Sequence, residues 1–143
     1  MTRAILIASL LFGAGCPDSG VNYCDEQSPC GGGDVCAHTH ECLAPDQVHA
    51  VTIRWTIGRD APDATACNGI SEMNVGYERT DDPSDRLVFS PVTCTAGSFP
   101  NDKWPTRYDT AYVAAFGPGH ATEGRATIPP DPNADVTVDL PHP

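Results

Sequence analysis

Four cysteines, at positions 24, 30, 36 and 42, are each separated by five residues in a stretch that reads CDEQSPCGGGDVCAHTHEC. Three glycines and a proline punctuate it, and large apolar side chains are almost absent. A segment of this kind cannot bury a core, so covalent cross-links have to hold it. Four cysteines allow three pairings into two bridges. The interleaved arrangement, Cys24–Cys36 with Cys30–Cys42, is the one expected. Zinc is the alternative, because Cys36-Ala-His38-Thr-His40-Glu-Cys42 concentrates soft ligands. Zinc-binding cysteines usually stand two to four residues apart, however, and every gap here is five. Disulfides are therefore preferred, and His38 and His40 read as exposed loop residues.

The remainder of the chain has a different texture. Val51, Ile53, Trp55 and Ile57 alternate with polar residues, the pattern of a half-buried strand. Met73, Val75 and Tyr77 repeat it, as do Val136, Val138 and Leu140. Leu87 to Phe89 is a short apolar run, and Arg125 to Ile128 reads as an edge strand stopped by Pro129-Pro130. Tyr108, Thr110, Tyr112, Ala114 and Phe116 form a further alternating set, whose tyrosines are placed on the core face with Phe116. Asn68-Gly69 and Asp81-Asp82-Pro83-Ser84 mark turns. No sustained helical period appears. Residues 48–141 thus predict a mainly β domain, an antiparallel β-sandwich of six to eight strands, prealbumin-like or immunoglobulin-like. Trp55 precedes both Cys67 and Cys94, which departs from the cysteine–tryptophan–cysteine order of a true immunoglobulin domain. A Cys67–Cys94 bridge would close a loop worth about 3–4 kcal/mol in the chain-entropy picture.

Charge and motifs narrow the function. The chain has 8 basic and 19 acidic residues, and a single lysine, so a nucleic-acid partner is not expected. No G-x-S-x-G, H-E-x-x-H, P-loop or G-x-G-x-x-G occurs, and the five histidines are scattered. We expect neither an enzyme nor a cofactor. Asp131-Pro-Asn133-Ala-Asp135 opens like a calcium loop, but Val136 stands where glycine is needed and His142 where glutamate is needed. Asp131, Asn133 and Asp135 are at best weak metal candidates, and solvated turn residues are the simpler reading. Trp104, beside Pro105, is the aromatic residue best placed for an exposed sugar contact, with packing at the sandwich end as the preferred alternative.

The N-terminus supplies an address. Arg3 is followed by the apolar run Ala4 to Phe12, then Gly13-Ala-Gly15 and Cys16. The run fits a secretory signal and is too short to span a bilayer. With its terminal cysteine it resembles the signal peptide of a bacterial lipoprotein, although Gly13 stands where that family usually has leucine. An ordinary signal peptidase could cut at the same bond and give plain secretion. The resemblance implies cleavage after residue 15 and lipid on Cys16, with residues 16–23 as a tether. It also implies anchoring in a bacterial cell envelope, at the outer membrane or cell surface. Lipid on Cys16 would account for the odd member of seven cysteines and leave six for three bridges. Two or more acyl chains would hold the protein stably to a membrane.

Residues 24–43 resemble the half-EGF-like segments near the N-termini of myxobacterial-type lipoproteins. The VTIRWTI strand, the Cys67/Cys94 pair, the Tyr108–Phe116 strand and the closing VTVDL resemble the prealbumin-like sandwiches of bacterial lipoproteins. That resemblance implies a non-catalytic structural, adhesion or interaction role with an unknown protein or glycan partner. The alternative is an extracytoplasmic binding module for a carbohydrate or calcium.

Overall fold

The computed structural model describes residues 23–142, so the expected signal peptide and the lipidation site at Cys16 lie outside the described residues. Two short strands come first, β1 (Val35–Cys36) and β2 (Cys42–Leu43), paired as a small hairpin. Seven longer strands follow: β3 (Val48–Ile57), β4 (Glu72–Glu78), β5 (Arg86–Val92), β6 (Ser98–Pro105), β7 (Thr110–Gly117), β8 (His120–Thr127) and β9 (Asn133–Leu140). They build a three-stranded sheet in the order β6-β3-β9 and a four-stranded sheet in the order β5-β4-β7-β8. Among the described residues, no helix is long and apolar enough to cross a membrane.

The alternation read in the sequence sets which faces meet. Val51, Ile53, Trp55 and Ile57 of β3, with Val136, Val138 and Leu140 of β9, pack against Met73, Val75 and Tyr77 of β4. Full burial of each such large side chain contributes about 1.5–3 kcal/mol. Cys67 and Cys94 are bridged, with Cα atoms 5.9 Å apart. The bridge ties the β3–β4 connection to the short 3-10 turn Cys94–Ala96, and the Trp55 indole N–H donates to the Cys94 carbonyl at 2.9 Å.

Three features depart from the sequence reading. First, the four-stranded sheet is antiparallel throughout, but β9 runs parallel to β3, from Ala50 opposite Asn133 to Ile57 opposite Leu140. The chain leaves β8 through Pro129-Pro130 and crosses to the other sheet, entering beside the start of β3, so the two strands share a direction. Second, β6 has no counterpart in the predicted strands. Pro100, Asn101, Asp102 and Pro105 break its alternation, and it is tolerated because it is an edge strand, where proline costs no ladder bond that matters.

Third, β7 faces the other way from the expectation. Ala111, Val113 and Ala115 point into the core, while Tyr112, Ala114 and Phe116 lie on the outer face. Tyr108 is buried as expected, but it sits before the strand, after the turn at Thr106 and Arg107, and is out of phase with it. Small residues are needed inside because β7 and β8 close against β9. Gly124 of β8 shows how tight this is: a Cβ there would lie 2.7 Å from Val138 Cγ1 and 2.9 Å from the Asp139 carbonyl.

Candidate functional site

The cysteine-rich segment is held by Cys24–Cys36 and Cys30–Cys42, with Cα separations of 5.7 and 5.5 Å, ordinary for disulfides. This is the interleaved pairing. Cys36 and Cys42 stand opposite one another in the β1–β2 hairpin, and the turn between them carries His38 and His40. His40 adopts the left-handed conformation, φ 62°. Its N–H donates to the Ala37 carbonyl, its Nδ1 lies 3.0 Å from the Cys24 carbonyl, and its ring stacks on Tyr23 at 5.2 Å. Both histidines are exposed loop residues as expected, but each has a structural partner.

His38 is one point at which the module meets the sandwich. Its backbone N–H donates to the Lys103 carbonyl, its Nε2 lies 3.0 Å from Asp102 Oδ1, and its ring covers that of Trp104 at 6.1 Å. The His38 contact holds the Asp102 carboxyl below its ordinary range. A second clamp joins Glu41 to the Arg107 guanidinium. Burial pushes the Glu41 carboxyl up, but hydrogen bonds from Thr39 and Arg107 outweigh it and hold the group low. The clamps leave an open cleft of about 520 Å³ between the two units, lined by Asp25, Glu26, Cys36, His38, His40, Asp102 and Lys103, with Ala37 at its floor. Lys103, like His40, is left-handed, with φ 50°. The walls thus mix carboxylates, imidazoles and one ammonium within reach of a polar ligand. The Asp102–Lys103 side of the cleft had no signal in the sequence, because β6 itself had none.

The other candidate residues go elsewhere. Trp104 is 1% exposed, packed on Tyr77 at 3.9 Å and opposite His49 across the β3–β6 pair, so it is a core residue of the sandwich end. Asn133 and Asp135 lie on the exposed face of β9, and Asp135 takes the Arg54 Nε–H on both oxygens, at 2.9 and 3.1 Å. Asp131 is exposed in the preceding turn. Asp81 and Asp85 are paired with Arg79, and Asp85 also accepts from the Tyr108 hydroxyl. The three sulfurs of Cys24, Cys30 and Cys36 lie within 4.8 Å of one another, but all three are in disulfides and so are not thiolate ligands.

One cluster was missed altogether. On the outer face of the four-stranded sheet, Glu78 is nearly buried and binds both Arg86 and Arg125. Both guanidiniums lie over the Tyr112 ring, at 5.2 and 5.0 Å. Burial alone would raise the Glu78 carboxyl; the hydrogen bonds and charges of Arg125 and then Arg86 overcome it and keep the group ionised. These residues come from four different strands, and only the strand register brings them together. Tyr112 is thereby sealed, which removes it as an exposed aromatic contact.

Neither a protein-family profile nor a curated protein sequence matches the chain. A solved structure of a candidate cell adhesion protein from Bacteroides eggerthii is similar to it over 66% of this chain, at 14% identity and a TM-score of 0.45. The matched region spans 40% of that protein's chain.

Proposed function

We propose that this is an exported protein, held to the cell envelope by lipid on Cys16, whose role is non-catalytic adhesion or contact. The observation that carries the reading is the cleft between the cross-linked module and the sandwich. Three disulfides support folding in an oxidising compartment. The His38–Asp102 and Glu41–Arg107 clamps support a fixed geometry between the two units, and the polar cleft between them is a surface on which a partner can be read.

The test uses the full chain produced in a bacterial host. Mass spectrometry of the mature N-terminus is expected to find Cys16 carrying acyl groups; an unmodified Cys16 or an intact Met1 overturns the anchor. Cells displaying the protein are expected to adhere to a surface or to other cells, and Asp102→Ala with Lys103→Ala is expected to abolish that adherence. Undiminished adherence overturns the role of the cleft.

A glycan ligand is the second reading. It is favoured by Tyr23, which is 64% exposed and whose ring stacks on His40, a lining residue of the cleft. Binding on a glycan array that is lost on Tyr23→Ala supports it, and an empty array with and without calcium rejects it.

A further inference from the structure

We propose that the cysteine-rich module carries a built-in disulfide exchange. Opening Cys30–Cys42 lets Cys30 take Cys24 as its partner and delivers a free Cys36 thiolate to the cleft. This goes beyond an adhesive role and does not depend on it.

The geometry is that of two bridges lying side by side. The sulfur of Cys30 belongs to one bridge, yet the sulfurs of Cys24, Cys30 and Cys36 all lie within 4.8 Å of each other. Cys30 and Cys42 are both half-buried, whereas in the other bridge only Cys36 is half-buried and Cys24 is 0% exposed, so a reductant from solvent can approach either sulfur of Cys30–Cys42 but only one sulfur of Cys24–Cys36. Beyond Cys30 the chain runs through Gly31, Gly32 and Gly33, where an added Cβ would meet nothing within 4 Å. The segment that follows Cys30 therefore lies in open space.

The electrons come from an external dithiol. One of its thiolates attacks Cys42 Sγ, the Cys30–Cys42 bond breaks, and Cys30 leaves as a thiolate. The second thiolate of the reductant resolves the mixed disulfide, departs as the oxidised cyclic dithiol and frees Cys42. Cys30 Sγ then attacks Cys24 Sγ. The Cys24–Cys30 bond forms, the Cys24–Cys36 bond breaks, and Cys36 carries away the electron pair. This last step is redox-neutral.

The direction of attack follows from the leaving group. Expelling Cys24 would place a thiolate where no solvent reaches it, which is costly. Expelling Cys36 places it half-exposed on the wall of the cleft, where solvent reaches it and where His38, His40 and Lys103 stand among the carboxylates of Asp25, Glu26 and Asp102.

The experiment treats the mature chain with limiting dithiothreitol, quenches with acid, alkylates and maps peptides without reduction. The expected main partly reduced species has a Cys24–Cys30 link, alkylated Cys36 and Cys42, and an intact Cys67–Cys94. Retention of Cys24–Cys36 with Cys30 and Cys42 alkylated overturns the proposal, as does a Cys30–Cys36 link with Cys24 alkylated. Cys42→Ser tests the exchange without reductant: Cys36 is expected to be the alkylated cysteine of the module, and alkylation at Cys30 instead overturns it.

Discussion

The two halves of this molecule are held together by different physics. The module of residues 24–43 has two bridges, one short hairpin and only Cys24 and Ala37 as buried apolar residues. The sandwich has a continuous core built from both of its sheets, and its one disulfide sits at the margin, linking loops. Where a chain can bury apolar surface, cross-links add to a fold that already exists. Where it cannot, the cross-links are the fold. The same contrast bears on the proposed site: the sandwich supplies one wall of the cleft, and the module supplies a wall whose covalent pattern would change in the proposed exchange.

Perturbing the sandwich core should have the largest effect. Trp55→Ala removes a side chain 1% exposed and leaves a cavity, and should cost about 3–5 kcal/mol in urea unfolding. The module's bridges should persist in that variant even where the sandwich is unfolded, which peptide mapping would check. Replacing Cys67 and Cys94 together by alanine should cost about 3–4 kcal/mol, visible as a lower melting temperature, with the sandwich still folding. If the sandwich does not fold without this bridge, the contrast between the halves is weaker than drawn.

Glu78→Gln should cost about 1–2 kcal/mol, since it leaves two half-exposed arginines without their carboxylate over Tyr112. A double-mutant cycle with Arg125→Gln isolates the coupling; independence of the two changes would mean that Glu78 and Arg125 are not a working unit.

The pH dependence separates the two halves by window. His49 is buried at the sandwich end, and burial lowers its pKa from the ordinary 6.5, outweighing the opposite pull of the Asp131 backbone. The unfolded chain therefore binds a proton first. Stability is full above 6.5 and declines as the pH falls below it, down to the lowered folded value. Glu41, at the module clamp, works in the same direction at lower pH: its folded pKa lies below 4.5, so its contribution is present above 4.5 and is lost as the pH falls through the folded value. Unfolding midpoints across mildly acid pH should show a slope that His49→Phe removes, while amide protection in the module, taken relative to intrinsic exchange rates, should fall only at lower pH.

The smallest effect is expected at the clamp. Arg107→Gln should cost about 0.5–1 kcal/mol or less, because the pair is partly solvated. It should speed amide exchange in the hairpin of β1 and β2 and leave the core of the sandwich unchanged.

Legibility in the sequence followed the range of the interaction. The strands whose apolar residues alternate against a polar background, β3, β4 and β9, could be read directly, because a period of two is a local signal. So could the need for cross-links between residues 24 and 42. β6 was hidden by its prolines, and the facing of β7 was misjudged because the larger side chains of Tyr112 and Phe116 outweighed the small Ala111 and Ala115 that the closely packed interior requires. Of the cleft, the His38–His40 side was visible as a histidine-bearing turn, and the Asp102–Lys103 side was not.

The amino-acid sequence alone determined that one part of this protein is cross-linked and coreless while the other is a β domain, since cysteine spacing and alternation are properties of neighbours along the chain. The tertiary structure decided what those neighbours meet. The parallel entry of β9 beside β3, the burial of Trp104, the Glu78 pair over Tyr112 and the cleft between module and sandwich all join residues far apart in the chain. Their partners are set by register and docking, which no local pattern encodes.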